Sequence, residues 1–221
     1  MSIHKVQLGV DERGKITAAV HEIDQQTSRH DLLFSPGTEV TLQLYGIPNL
    51  RGHDRLVRTD VQTPGFMRAP FESPAAFAFE SALDELAYEL KRDPVSLRLA
   101  HETSRDPLTG KPFSSRHLAA CLTQGAERFG WSRRTPAPGS MRSADGTLIG
   151  WGMAVGSYKA STAPTIARVK LLRNGTVEAS VGVHEMGQGV RSAVTAELAR
   201  ALGVRPQAVR LTRGDTGGLA H

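Results

Sequence analysis

Alternating apolar and polar residues near the start of the chain predict a β-hairpin. Its strands are expected over residues 6–10 and 16–20, and the turn-forming residues 11–14 lie between them. Residues 27–65 contain many prolines and glycines, and short apolar pieces such as residues 40–44 predict strands separated by loops. The first part of the chain is therefore expected to be mainly strand and loop.

Helical periodicity begins after this region. Phe79, Leu83, Leu86 and Leu90 form one apolar stripe, and Ser73 with Pro74 in the following position predicts an N-cap and a first-turn proline. A second helix is predicted from Asp93-Pro94 to about residue 101. A third is predicted from Ser114 or Ser115, with inward-facing Leu118, Cys121, Leu122, Ala126 and Phe129.

The pattern changes again in the second half. Residues 132–147 have the composition of a linker, and strands are predicted over 149–157, 165–172 and 176–183. Asn174-Gly175 joins the last two of these strands, which is a strong hairpin signal. A helix over 190–202, ending at Gly203, and a strand over 208–212 complete an α+β fold with mixed sheets and packed helices.

Composition excludes several classes of protein. The 221 residues carry a formal net charge of +5, but residues 1–110 hold 12 basic and 16 acidic groups and residues 111–221 hold 15 and 6. The basic side chains are scattered and not arranged in a stripe, so nucleic-acid binding is not predicted. Cys121, the single cysteine, cannot form an internal disulfide, and no Cys/His spacing predicts a metal site.

No apolar run reaches the roughly 20 residues of a membrane span, and no secretory signal is recognised at the N-terminus. The sequence therefore predicts no membrane span. Cytoplasmic localisation is the default expectation, and a periplasmic location would require export together with a partner subunit that carries the signal.

Two loops carry candidate chemistry. The first is GVHEMGQG at residues 182–189, where Gly187 and Gly189 precede a helix whose first N–H groups suit a phosphate or another anion. The alternative is a structural strand-to-helix turn, and the HExxH zinc motif fails because position 188 is Gln188. The second loop, residues 63–72, presents Arg68 before the long helix, either to an oxyanion or to loop carbonyls.

An ordered series of motifs includes these two loops. MRAP, ESALDELA, DPVSLRL, DPLTGKPFSS, GWGMA, GVHEMGQG and ELARALGV follow one another along the chain. This series resembles the molybdopterin-binding large subunit of the xanthine dehydrogenase and aldehyde oxidase family, bacterial aldehyde-oxidoreductase type. The resemblance implies parts of two molybdopterin-binding domains, the end of the first over residues 1–131, a linker over 132–147, and the start of the second over 148–221.

The resemblance also implies site residues. It places Arg68 beside the molybdenum, flanked by Met67 and Ala69. It assigns the pterin and its phosphates to Met186, Gly187, Gln188, Gly189, Val190, Arg191 and Ser192, with Ser114 and Ser115 as weaker candidates. Two positions depart from the family pattern: Phe71 stands where glycine is common, and Ala196 where glutamine is common.

The implied cofactor is molybdopterin, which bacterial members often carry as the cytosine dinucleotide, with iron–sulfur and FAD groups on partner subunits. The family's upstream glycine-rich segment and its downstream Gly-Glu segment, which carries the catalytic base, are absent, so no catalytic or metal-ligating residue is assigned. We therefore expect an internal fragment, starting on a strand and stopping in the glycine-rich residues 214–218. It would belong to an oxidoreductase that hydroxylates aldehydes or N-heterocycles, and it would be inactive alone. The alternative is a non-catalytic remnant or assembly module.

Overall fold

The computed structural model describes residues 1–34, 36–158 and 162–214, so that most of the glycine-rich stretch at 214–218 lies outside the described residues. The chain forms two compact units, Met1–Lys159 and Ala160–His221. Both contain a sheet and at least one helix, which confirms the predicted α+β class. In the described ranges no helix combines the length and apolarity needed to cross a membrane.

The first unit is built on a three-stranded sheet. Strands β1 (Ser2–Val10) and β2 (Ile16–Ser28) form the predicted hairpin, and β3 (Asn49–Thr59) pairs in parallel with β2. Helix α1 (Thr38–Leu42) connects β2 to β3. The predicted strand at residues 40–44 is wrong, because a short apolar run does not distinguish a buried strand from a buried turn of helix.

Two further helices confirm the periodicity of the sequence. Helix α2 (Glu72–Glu89) packs against β1 and α1, but Phe71 and not Ser73 precedes its first turn, without a capping side-chain hydrogen bond. The predicted Ser73 cap is therefore wrong. Helix α3 (Pro94–Leu99) begins as predicted, because the Asp93 carboxylate accepts the Ser96 N–H at 2.9 Å.

Helix α4 (Leu118–Phe129) starts a few residues later than predicted, and Leu122 is the residue that it buries fully. Leu118 and Ala126 pack partly against the core. The predicted inward positions of Cys121 and Phe129 are wrong, since both are exposed. The amphipathic stripe is thus narrower than the sequence pattern indicated.

Residues 149–158 form no strand, contrary to prediction, yet they belong to the core of the first unit. The Val155 N–H donates to the buried Glu80 carboxylate at 2.9 Å, where a strand partner would have supplied a carbonyl. Trp151 and Met153 pack against the same core. The first unit therefore continues beyond the predicted linker at residues 132–147, as far as Lys159.

The second unit repeats the order hairpin, helix, parallel strand. Strands β4 (Ala167–Leu171) and β5 (Val177–Val181) form the predicted antiparallel hairpin, and β6 (Val209–Arg213) pairs in parallel with β5. Between β5 and β6 lies α5 (Val190–Leu202), whose predicted bounds are confirmed. Its N-terminus faces the loop that leaves β5.

Candidate functional site

The loop from β5 to α5 turns on two glycines. Gly187 and Gly189 have φ angles of 93° and 77°, in the left-handed region that residues with a Cβ rarely adopt. A Cβ at either position would meet no neighbouring atom, so the backbone conformation and not crowding requires glycine there. Gly189 is the N-cap residue of α5.

The carboxylate of Glu185 occupies the N-terminus of this helix. One oxygen accepts the N–H groups of Gly187 at 3.1 Å and Gly189 at 2.9 Å, and the other accepts the Arg191 N–H at 3.1 Å. The hydrogen bonds from the Arg191 and Gly189 amides are the main reason that the pKa of Glu185 is lowered. The predicted anion-binding turn therefore holds an anionic group of the chain itself.

The side chain of Gln188 stabilises the same loop through two hydrogen bonds to its backbone. Its side-chain oxygen accepts the Met186 N–H at 2.5 Å, and its side-chain nitrogen donates to the His184 carbonyl at 2.7 Å. Met186 projects outward with 82% of its surface exposed. The loop is thus ordered by its own side chains while its outer face stays open.

A cavity of about 610 Å³ lies between the first half of α5 and β6. Its lining includes Arg191 and Ser192 from the predicted set, together with Thr195, Ala196 and Arg210. Neither arginine side chain has a hydrogen-bond or ion-pair partner among the described residues, so the cavity wall carries two unpaired positive charges. Ala196, with its small side chain, lines the same cavity.

Two backbone donors at this helix end are also unused. Within the described part of the chain, the N–H groups of Val190 and Ser192 have no acceptor. Such first-turn groups are the ordinary donors to phosphates at helix N-termini. Sequence reasoning found this helix end but missed Arg210 and the capping carboxylate of Glu185, although a glutamate four residues before a capping glycine is a usable signal.

The second predicted loop lies in the first unit, ahead of α2. Arg68 is exposed and makes no hydrogen bond to loop carbonyls in the residues described, and Met67 is 81% exposed. Ala69 has a φ of 55°, and its carbonyl accepts the Ser73 N–H at 3.1 Å. A positive φ at alanine costs about 1–2 kcal/mol, and such strain is frequent at functional sites.

A cavity of about 230 Å³ lies beneath this loop. Gly65, Met67, Pro70 and Phe71 line it from the loop, and His4 lines it from β1. Phe71 also packs edge-to-face on Phe66, with ring centroids 5.9 Å apart. Phe71, one of the two residues that depart from the family pattern, is therefore part of this cavity wall.

The predicted site residues thus fall into two groups. Met67, Arg68 and Ala69 belong to the first unit, and the seven residues from Met186 to Ser192 belong to the second. Ser114 and Ser115 lie in an exposed bend of the first unit. A larger cavity of about 940 Å³, lined in part by Tyr88 and Trp131, contains none of these residues.

Comparison with known proteins decides the family. Residues 2–101 and residues 124–221 each match the molybdopterin cofactor-binding domain, so the two matches together cover most of the chain. The chain belongs to the molybdopterin cofactor-binding domain family. This result confirms the resemblance inferred from the ordered motifs.

Two relatives of this molybdopterin-binding chain are subunits from Escherichia coli (strain K12). The aldehyde oxidoreductase molybdenum-binding subunit PaoC is 35% identical over 218 residues, which are 97% of this chain and 29% of the relative. The putative xanthine dehydrogenase molybdenum-binding subunit XdhA is 31% identical over 219 residues, 93% of this chain and 29% of the relative. The chain therefore spans less than a third of their length.

Solved structures show the same fold. The aldehyde oxidoreductase from Desulfovibrio desulfuricans aligns with a TM-score of 0.78 and 22% identity, over 98% of this chain and 25% of that one. Quinoline 2-oxidoreductase from Pseudomonas putida aligns with a TM-score of 0.73 and 17% identity, over 96% and 30%. At these identities the likeness concerns the fold alone.

Proposed function

We propose that this chain is the cofactor-binding portion of an oxidoreductase that hydroxylates aldehydes or N-heterocycles. The observation that carries the proposal is the α5 N-terminus, where Ser192, Arg191 and Arg210 line one cavity and, among the described residues, the Ser192 N–H and both guanidinium groups have no partner. An anionic, phosphate-bearing cofactor is the chemical class that such donors recognise. Membership of the family indicates that this cofactor is molybdopterin.

Residues at the α5 N-terminus and on β6 would have separate roles in binding this cofactor. Val190 and Ser192 would donate their amide N–H groups to a phosphate, and Arg191 with Arg210 would balance its charge. Glu185 would order the loop without competing for those two donors, since its carboxylate bonds other amides. A cytosine dinucleotide form of the cofactor would carry a further phosphate, and the second arginine would balance its charge.

The first unit is proposed to contribute Arg68, with Met67 and Ala69, beside the reactive end of the cofactor. Its guanidinium has no partner within the described residues and is free to meet an oxyanion. When bound, the cofactor supplies the redox chemistry of hydroxylation. The chain's own residues hold and orient it, and none of them is assigned as the catalytic base.

We propose family domain boundaries at the end of one molybdopterin-binding domain over residues 1–131, a linker over 132–147, and the start of the next over 148–221. In the packing of this structure, residues 149–158 nevertheless belong to the core of the first compact unit. Because no catalytic residue is assigned, we expect the isolated chain to be inactive. Flanking parts of the large subunit would supply the base and the pocket for a small-molecule substrate, and iron–sulfur and FAD subunits would take the electrons. Cytoplasmic location is proposed, with export alongside a partner as the alternative.

The test is cofactor content after expression in a host that makes molybdopterin. The chain is produced together with the flanking large-subunit segments and the iron–sulfur and FAD subunits, and molybdenum and oxidised pterin are measured per complex. We expect near-stoichiometric cofactor, and Arg191→Ala to weaken retention about 10- to 100-fold because one charge-assisted phosphate contact is lost. Arg200→Ala, at an exposed arginine of the same helix, should retain the wild-type content.

A second candidate is a non-catalytic remnant or assembly module. It is favoured by Glu185, which already satisfies three amides of the loop, and by Phe71, which lines the first-unit cavity. In that case the complex would assemble at full stoichiometry with no pterin or molybdenum. That outcome would overturn the cofactor-binding proposal.

A further inference from the structure

Two helices cover one face of the first sheet. Paired residues of neighbouring strands point to the same face, so Val6 of β1, His21 of β2 and Gly52 of β3 lie in one row across it. Helix α1 covers the β3 half of this face, where a Cβ at Gly52 would lie 2.6 Å from the Thr38 hydroxyl. Helix α2 covers the β1 half, and the ring centroids of Phe79 and His21 are 5.9 Å apart.

The helix that covers β1 follows β3 in the chain. The connection from β3 to α2 brings the chain back across the sheet to β1, which is an edge strand of that sheet. Val6 and Leu8, on the covered face of β1, pack against the hydrophobic core of this unit. Helix α2 contributes Phe79, Leu83 and Ala87 to the same core. The apolar face of β1 is thus shielded from solvent by α2.

The second unit has the counterpart of α1 but, among the described residues, lacks a counterpart of α2. Helix α5 joins β5 to β6 as α1 joins β2 to β3, and α5 and β6 together line the 610 Å³ cavity. Val177, Ala179 and Val181 of β5 are buried on one face of the sheet, each no more than 8% exposed. In the part of the chain that the structure describes, no helix follows β6. The β4 half of this face is therefore left without a covering helix in these residues.

Strand β4 has the residue pattern of a strand that buries one face. Ala167, Val169 and Leu171 pair with the buried residues of β5 and therefore point to the same face of the sheet. Arg168 and Lys170 point to the opposite face. All five residues are nevertheless exposed, Val169 to 46% and Leu171 to 65%. Apolar side chains that continue a buried sheet face and remain open indicate an interaction surface.

A helix fits this surface better than another strand does. Because β4 is an edge strand, a further strand could pair with its backbone, but that strand would extend the sheet and leave the apolar face open. Arg168 and Lys170 also disfavour such pairing, since charged side chains protect edge strands from it. A helix packed across β4 would instead cover Val169 and Leu171, in the way that α2 covers β1.

We propose that Ala167, Val169 and Leu171 form a docking surface for an amphipathic helix of the flanking large-subunit sequence, packed on β4 as α2 packs on β1. This inference rests on the proposed function, which takes the chain as one portion of a large subunit. The length of the relatives leaves room for such a helix, since this chain covers 29% of the PaoC subunit. The helix is expected to carry apolar residues about three or four positions apart, as α2 does with Phe79 and Leu83.

Thiol labelling in the assembled complex tests the proposal. In a Cys121→Ser background, which removes the single cysteine of the chain, Val169→Cys reports on the β4 face. Glu178→Cys, at an exposed position on the opposite face of β5, is the matched control. Both variants are labelled with a maleimide, as the chain alone and within the complete large subunit in its complex, and mass spectrometry quantifies each modified peptide. We expect labelling at position 169 to slow at least about tenfold in the complex, because a buried thiol reacts only when its packing opens.

The control variant and a cross-link identify what covers the surface. Glu178→Cys should label at the same rate in both preparations, and Leu171→Cys replaces Val169→Cys if that variant does not assemble. A photo-cross-linker attached at position 169 should capture a flanking large-subunit peptide with the apolar spacing of an amphipathic helix. The proposal is overturned by unchanged labelling at position 169, by equal protection of both positions, or by a cross-link to the first unit, to a second copy of the chain or to another subunit. Neither readout requires cofactor, so a complex without molybdenum contradicts cofactor binding and leaves this inference standing.

Discussion

Replacing Glu80 with alanine should destabilise the first unit more than any exposed substitution on the same helix. Glu80 is only 3% exposed, and its carboxylate accepts three hydrogen bonds. Tyr45 donates its hydroxyl at 2.8 Å, Arg98 donates Nε–H at 2.8 Å, and Val155 donates its N–H at 2.9 Å. Burial and the Glu80 charge raise the pKa of Tyr45, so the phenol keeps the proton that it donates.

The magnitude follows from what the substitution leaves behind. The Arg98 side chain is fully buried, and without Glu80 its remaining anionic partner is Asp84 at 2.9 Å. Removing one member of a buried ion pair typically costs about 3–5 kcal/mol, because the other charge stays desolvated. Glu80→Gln keeps the volume and one acceptor, and should cost about 2–3 kcal/mol.

Urea unfolding followed by tryptophan fluorescence measures this loss. Both tryptophans, Trp131 and Trp151, lie in the first unit and report on it. Glu85→Ala, at an exposed glutamate of α2, is the matched control and should change the free energy of unfolding by about 0.5 kcal/mol or less. If Glu80→Ala falls within 1 kcal/mol of this control, the buried network is not a major source of stability.

Two further predictions concern backbone and cap positions. Gly189→Ala should destabilise the second unit by about 1–2 kcal/mol, because Gly189 has a φ of 77°. Gly125→Ala, in an open and regular part of α4, should stabilise the first unit by about 0.5–1 kcal/mol. Thermal melts followed by circular dichroism compare the two variants. Asp93→Ala should cost about 1–2 kcal/mol in urea unfolding, because it removes the α3 cap and the 2.7 Å bond to Trp131 Nε1, and Asp93→Asn should recover most of the loss.

The sequence predicts best those elements whose signals are local. The two hairpins, the bounds of α5 and the Asp93 cap of α3 all depend on residues a few positions apart. By contrast, β3 is polar along much of its length and pairs in parallel with β2, a partner that is distant in sequence. The strand prediction for residues 149–158 is wrong for the same reason, since the acceptor for the Val155 N–H is a glutamate 75 positions earlier.

The candidate site shows the same division. Glycines before a helix predict N–H donors suited to an anion. In the structure, three of these amides bond the Glu185 carboxylate, and those of Val190 and Ser192 have no acceptor among the described residues. Arg210 reaches the same cavity only because β6 pairs in parallel with β5 beside α5, a pairing that periodicity cannot reveal. The position of His4 behind the Arg68 loop depends likewise on the packing of β1 against distant residues.

The two units use one topology in different ways. Each has a hairpin, a helix and a strand parallel to the second hairpin strand, so each places a helix N-terminus where the chain leaves that strand. In the first unit Asp54 occupies this place, accepting the Gly37 N–H at 3.0 Å and the Thr38 hydroxyl at 2.5 Å, and α1 is short and almost wholly buried.

In the second unit, α5 is longer and largely exposed, and Glu185 leaves the Val190 and Ser192 donors without an acceptor among the described residues. An anion at the first helix would have to displace a carboxylate in a packed core. At the second helix it would meet N–H donors and arginines that have no partner in the described ranges. The same arrangement is therefore structural in the first unit, whereas the described part of the second unit supports the proposed anion site.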